Sequence, residues 1–160
     1  MTNSHEQLIA KFYTAFREKD FRAMQQCYHG EIIFSDPVFK NLNGKEAKAM
    51  WHMLLSIGKD LQVTFKDIKA DGQDGQCHWE ATYTFSTTGR KVHNVIDATF
   101  EFRDGKIFRH TDQFNLWRWS RMALGISGLL LGWTPFMQNK IREQAKNNLK
   151  KFIGSHPEYQ

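Results

Sequence analysis

The sequence predicts an α+β domain: a curved antiparallel (mixed) sheet wrapped around three N-terminal helices, with a C-terminal helical extension. Three observations carry this expectation. Apolar residues recur at helical spacing through the first third of the chain. The middle third changes to alternation in long runs, and Arg103-Asp104-Gly105-Lys106 joins two of those runs. Asp-Gly between segments rich in β-branched and aromatic residues is a strong hairpin signal, because glycine accepts the positive φ of a tight turn. Helices followed by a meander of strands is the order of an α+β fold.

The first helix is expected over residues 4–18, with Ser4 and Gln7 as a capping box and Leu8, Phe12, Ala15 and Phe16 inward. Asp20 suits the cap of a short second helix carrying Phe21, Met24 and Cys27. A strand over 31–35 stops at Asp36-Pro37, since proline removes a ladder donor. The third helix is expected over 45–57. Strands follow over 61–70 and 76–86; in the second, Cys77, Trp79, Ala81, Tyr83 and Phe85 alternate with polar residues, one face buried and one wet. The hairpin region covers 90–116. Beyond it, 117–122 reads as a helical turn and 123–133 as an apolar stretch broken by glycines. Thr134-Pro135 then opens a last helix, with a hydroxyl at the cap and proline in the first turn.

At 160 residues the chain is long enough for one domain with a real core. Residues 1–116 form that domain, and 117–160 a helical extension packed on it. Thirteen Phe and five Trp imply large apolar surfaces, packed or lining a cavity. Cys27 and Cys77 lie far apart, outside any metal or redox spacing. With a polar start, MTNSHEQL, that lacks a signal-peptide core, they point to the cytoplasm. The net charge of +5 sits largely in the last helix, so no nucleic-acid partner is expected. No apolar run approaches the ~20 residues that span a bilayer. The basic helix and the apolar stretch before it are expected to pack over the domain or across a homodimer, so membrane contact is not expected.

The chemistry concentrates in the hairpin. Alternation places Phe108, His110, Asp112, Phe114 and Leu116 on one face of its second strand. An acid and an imidazole on an aromatic face cost several kcal/mol unless they are paired or neutralised, so the placement needs a reason, and a polar-floored pocket supplies one. Asp112 is the first candidate for proton transfer, with His110 beside it; burial would raise its pKa and a neighbouring cationic imidazole would lower it. Two readings stay open for Asp36: a turn former bonded to its own backbone, or a pocket base. Asn94 is a candidate for orienting a ligand, with Trp79, Tyr83 and Phe114 as aromatic walls suited to a flat apolar small molecule. The lone His110-x-Asp112 pair offers two ligands where a catalytic zinc needs three, and no nucleotide loop is present, so neither metal nor cofactor is expected.

Three stretches, FYTAFREKDFRAMQQCY, FSDPVFKNLNGKEA and VIDATFEFRDGKI, in this order and spacing, resemble the nuclear transport factor 2-like superfamily, and within it the SnoaL-like and ketosteroid-isomerase-like proteins. The resemblance spans Leu8 to Leu116. It implies a cone, with a bent sheet and three helices enclosing a pocket open at one end, often in a dimer. It also implies that Asp36 stands where the isomerases place their general base. Asp97, eight residues before Gly105, stands where they keep a protonated Asp that donates to an enolate oxygen. Their oxyanion tyrosine falls at Phe12, with Tyr13 one position along, a departure that argues against steroid isomerisation itself. His110-Thr111-Asp112 is similar to the acid-bearing last strand of SnoaL-like cyclases. The implied activity is cofactor-free proton transfer beside a carbonyl, with a non-catalytic binding or interaction module as the alternative. For Asp97 the resemblance implies an inward side chain, whereas alternation with Ile96, Ala98 and Phe100 implies an outward one. The expectation adopted is inward, through a β-bulge.

Overall fold

The computed structural model describes residues 3–160. Helix α1, Ser4–Arg17, is capped by Asn3, and Glu6 completes the capping box, one residue earlier than the Ser4–Gln7 pair expected. Its buried face, Ile9, Phe12, Tyr13 and Phe16, is wider than the expected stripe because both Phe12 and Tyr13 turn inward. Helix α2, Phe21–Gln26, follows with Asp20 as its cap. Strand β1, Tyr28–Ser35, begins three residues before its expected start, and helix α3, Gly44–Ile57, is capped by Asn43.

Strands β2 (Gln62–Asp71), β3 (Asp74–Phe85), β4 (Arg90–Arg103) and β5 (Lys106–Gln113) complete one five-stranded sheet, ordered β1-β5-β4-β3-β2. All neighbours are antiparallel except β1 and β5, which run parallel, so the sheet is mixed. The β4–β5 turn forms as expected: Asp104 and Gly105 both take positive φ, 53° and 71°. The sheet bends over α1 and α3, and its concave side and the helices close on an aromatic core of Phe12, Tyr13, Phe34, Trp51, Trp79 and Phe100. At the edge of that core a Cβ on Gly75 would meet the Phe102 ring at 2.9 Å, which explains a glycine within β3.

Two expectations of parity need correction. Along β4, Val92, Asn94, Ile96, Ala98, Phe100 and Phe102 are all buried, and the residues between them face out. Asp97 therefore points away from the core, with its side chain 77% exposed and bonded to His78 Nδ1 at 2.8 Å. The bulge lies elsewhere, where the β4–β5 register shifts between Glu101 and Phe102. It reverses parity on β5, so that Ile107, His110 and Asp112 all face in. Phe108 faces out beneath the Arg103 guanidinium, 3.6 Å from the ring centroid.

The extension forms three helices: α4, Leu116–Leu124; α5, Ile126–Leu131; and α6, Pro135–Gly154, capped by Thr134. A short 3₁₀ turn, Pro157–Tyr159, ends the chain. Helix α4 packs on the sheet: Leu116, Trp119 and Ala123 join Val92 in a second small core against Tyr83, Phe85 and Phe114. Helix α6 reaches the β1 end, where Arg142 Nε donates to the Pro37 carbonyl at 2.8 Å. The apolar α5 segment does not bury as expected: Ile126, Leu129, Leu130 and Leu131 are all exposed. Among the described residues, no helix is long and apolar enough to cross a membrane.

Candidate functional site

Parallel pairing of β1 with β5 builds the site. Phe34 lies opposite His110 and Ser35 opposite Thr111, so the next pair in register is Asp36 and Asp112, side by side at the strand ends. The two acids line one cleft of about 420 Å³, walled also by Phe114 and by Arg142 from α6.

Behind Asp112 runs a buried chain of hydrogen bonds. Trp51 Nε1 donates to the Tyr28 hydroxyl oxygen at 2.8 Å. That hydroxyl lies 2.8 Å from His110 Nδ1, and His110 Nε2 lies 2.9 Å from Asp112 Oδ1. Trp79 Nε1 donates to the same Oδ1 at 3.3 Å. The directions follow from the fixed ends. Trp51 can only donate, so the Tyr28 hydrogen is free to be given to His110 Nδ1. With Nδ1 accepting from Tyr28, His110 Nε2–H donates to Asp112 Oδ1. Tyr28, held between Trp51 and His110, thus fixes the imidazole that fixes Asp112.

Asp36 closes a turn and also lines the cleft. Its Oδ1 accepts from the Val38 and Phe39 amides at 2.7 and 2.6 Å, closing the turn at Pro37. Burial is the main cause that pushes its carboxyl up to about 7; the amides pull down, and the Asp112 charge pushes up again. Tyr83, half-buried, accepts from Trp119 Nε1 at 2.7 Å, and its hydroxyl is raised by burial and, more weakly, by the Asp36 charge.

The structure thus brings together Asp36, Asp112, His110, Trp79 and Phe114, with Tyr83 near by. Phe12 and Tyr13 lie in the closed aromatic core, where Phe12 touches Tyr28, Trp51 and His110, and Tyr13 stacks on Phe65. The Tyr13 hydroxyl is buried without a hydrogen-bond partner among the described residues, and desolvation raises it well above the usual tyrosine range. Asn94 is buried on the concave face of β4, and Asp97 is excluded from the site. Sequence reasoning missed Tyr28, Trp51 and Arg142. Tyr28 falls between the expected second helix and the strand expected over 31–35, no pattern singles out Trp51 within the third helix, and Arg142 reads as one charge of a basic helix.

A second cleft, about 570 Å³, lies between α2, α3 and the chain's end. There His52, His156 and Glu158 hold potential ligand atoms within 4.8 Å of one another. Arg22, Lys45 and Lys48 line the same cleft and oppose a cation.

A bent mixed sheet closed on three helices, with a buried acid–imidazole pair on its concave side, defines a cone-shaped α+β fold. The chain belongs to the SnoaL-like domain family within the nuclear transport factor 2-like superfamily; the family model matches residues 9–110. Three solved structures show the same fold. TsrD from Streptomyces laurentii is 22% identical, with a TM-score of 0.63 and coverage of 77% of this chain and 96% of that one. IdmH from Streptomyces antibioticus, a proposed polyketide cyclase, is 19% identical, with a TM-score of 0.63 and coverage of 75% and 97%. An LEH-like epoxide hydrolase from M. tuberculosis is 17% identical, with a TM-score of 0.61 and coverage of 80% and 96%. No curated protein matches.

Proposed function

We propose that the protein is a cofactor-free acid–base catalyst acting beside a carbonyl group of an apolar, polycyclic small molecule, with Asp36 as the group that moves the proton. One observation carries this reading: Asp36 and Asp112 share a cleft, and the Asp36 carboxyl is pushed up to about 7. A base whose pKa lies near the working pH is both available and strong enough to take a carbon-bound proton. Asp112 is the tuner. It is tied to His110 and Trp79, and its fixed charge raises its neighbour. Arg142 stands in the cleft wall, and its guanidinium is placed to balance charge that develops on the carbonyl oxygen. Phe114 supplies apolar surface for a flat ligand. In the step, the Asp36 carboxylate takes the proton next to the carbonyl, the electron pair moves onto oxygen, and the resulting carboxylic acid returns the proton to carbon.

The direct test is solvent exchange. Protein in D₂O should speed deuterium incorporation next to the carbonyl of polycyclic aromatic ketones, and Asp36→Asn should lower that rate on the order of 10²-fold. Equal exchange by wild type and Asp36→Asn would sink the proposal.

A second reading, a non-catalytic ligand-binding or interaction module, is favoured by the closed interior, where Phe12, Tyr13 and Trp51 fill the cone. It predicts binding of such ketones with no exchange at all.

A further inference from the structure

The turn formed by α4, α5 and the start of α6 has its apolar side outward. Ile126, Leu130, Trp133 and Phe136 are 77%, 62%, 61% and 73% exposed, and Leu129 and Leu131 are close to half exposed. The cause lies in the buried side of the turn. Gly128 and Gly132, four residues apart on one face, press against Ser120 of α4, and a methyl group at either would collide with it. The Ser120 hydroxyl, fully buried, donates to the Trp117 carbonyl at 2.7 Å. So α5 hides its glycines and displays its leucines, the reverse of a helix that packs on a water-soluble core. Two indoles border the patch with their N–H groups already satisfied: Trp117 Nε1 donates to the Leu129 carbonyl and Trp133 Nε1 to that of Leu130.

The charge along this part of the chain has one sign. From Gln113 to Arg142 the chain carries no acidic residue, while Arg118, Arg121, Lys140 and Arg142 flank the apolar turn. Residues 117–160 hold seven basic and two acidic side chains, so the net charge of +5 of the whole chain resides in this extension. A twofold contact between copies through this turn would set its arginines and lysines against their own equivalents. A nucleic acid would answer the charge and leave the leucines wet.

We propose that this turn is an interfacial anchor, which lies in the headgroup layer of an anionic bilayer leaflet with Ile126, Leu129, Leu130, Trp133 and Phe136 inserted. Apolar insertion and attraction of basic side chains are the two signals that together give stable surface attachment. Trp117 and Trp133 take the interfacial position that amphipathic indoles prefer, and the Arg121 guanidinium, 4.8 Å from the Trp117 ring centroid, lies at the level of lipid phosphates. Six residues of α5 extend about 9 Å, far short of the ~30 Å hydrocarbon layer, so the turn rests on the leaflet and does not cross it. Arg142 lies roughly 9 Å along α6 from Phe136, which brings the acid-lined cleft close to the bilayer surface.

The experiment is co-sedimentation of the full chain with vesicles of phosphatidylglycerol and phosphatidylcholine, and with phosphatidylcholine alone. The anchor predicts binding to the anionic vesicles, at least roughly tenfold weaker to the neutral ones and in about 0.5 M salt. Leu129→Ser with Leu130→Ser should weaken binding by at least about tenfold with an unchanged circular dichroism spectrum, since both side chains are solvent-facing. Tryptophan emission should be quenched by a bilayer-embedded quencher in the parent chain and not in the double variant. Failure to sediment with anionic vesicles would overturn the anchor, as would undiminished binding by the double variant. So would a dimer in solution that the same substitutions dissociate without any vesicle binding.

Discussion

Opposing influences meet on the Asp36 carboxyl group. One oxygen is committed to two backbone amides, which alone would hold an acid low. Burial and the Asp112 charge override them and set it at about 7, against an ordinary 3.8. The shift has a consequence for stability. Between those two values the folded chain keeps a proton on Asp36 that the unfolded chain has released. Stability from this group is therefore fully present below about 3.8, falls as pH rises through the window, and levels off above 7. Asp36→Asn keeps an oxygen for the turn amides and removes the titration. Denaturant unfolding of both proteins from pH 4 to 8 should show the variant gaining on wild type as pH rises, by roughly 4 kcal/mol across the range. Parallel pH profiles would mean that Asp36 is not desolvated.

At the scale of elements, local chemistry decided most boundaries, and pairing decided the site. Asp20, Thr134 and the Asp104-Gly105 turn act where their side chains and positive φ require, and these were legible. The turn makes a simple test: at a φ of 71° a Cβ is strained, so Gly105→Ala should cost about 1 kcal/mol in unfolding free energy, with β4 and β5 still paired. What the sequence could not reveal depends on partners distant in the chain. A bulge after Glu101 turned Phe108 out and kept His110 and Asp112 in, and nothing local marks that extra residue. Alternation along β4 was right about Asp97, and the family resemblance was a poor guide to its direction. The parallel pairing of β1 with β5, which sets Asp36 beside Asp112, joins residues more than seventy positions apart. Nothing in the sequence pattern singled out Tyr28 or Trp51; both are buried, and their hydroxyl and indole N–H gain meaning only once His110 lies between Tyr28 and Asp112.

For the whole molecule, the aromatic residues foreseen as pocket wall divide between two places. Phe12, Tyr13 and Trp79 fill the inside of the cone, and Phe114 lines a cleft at its rim, where β1, β5 and α6 meet. The extension beyond Leu116 supplies Trp119 to the second core, Arg142 to the cleft and an exposed apolar turn to the surface. The cone thus acts as a rigid support that desolvates Asp36 and holds Asp112 beside it. That claim is tested most directly by following the side-chain carboxyl resonance of Asp36 by NMR across pH, in wild type and in Asp112→Asn. A midpoint near 7 in wild type, moving down once the Asp112 charge is removed, is the expected result. A wild-type midpoint near 3.8, unmoved by Asp112→Asn, would contradict the account and leave Asp36 as a turn former alone.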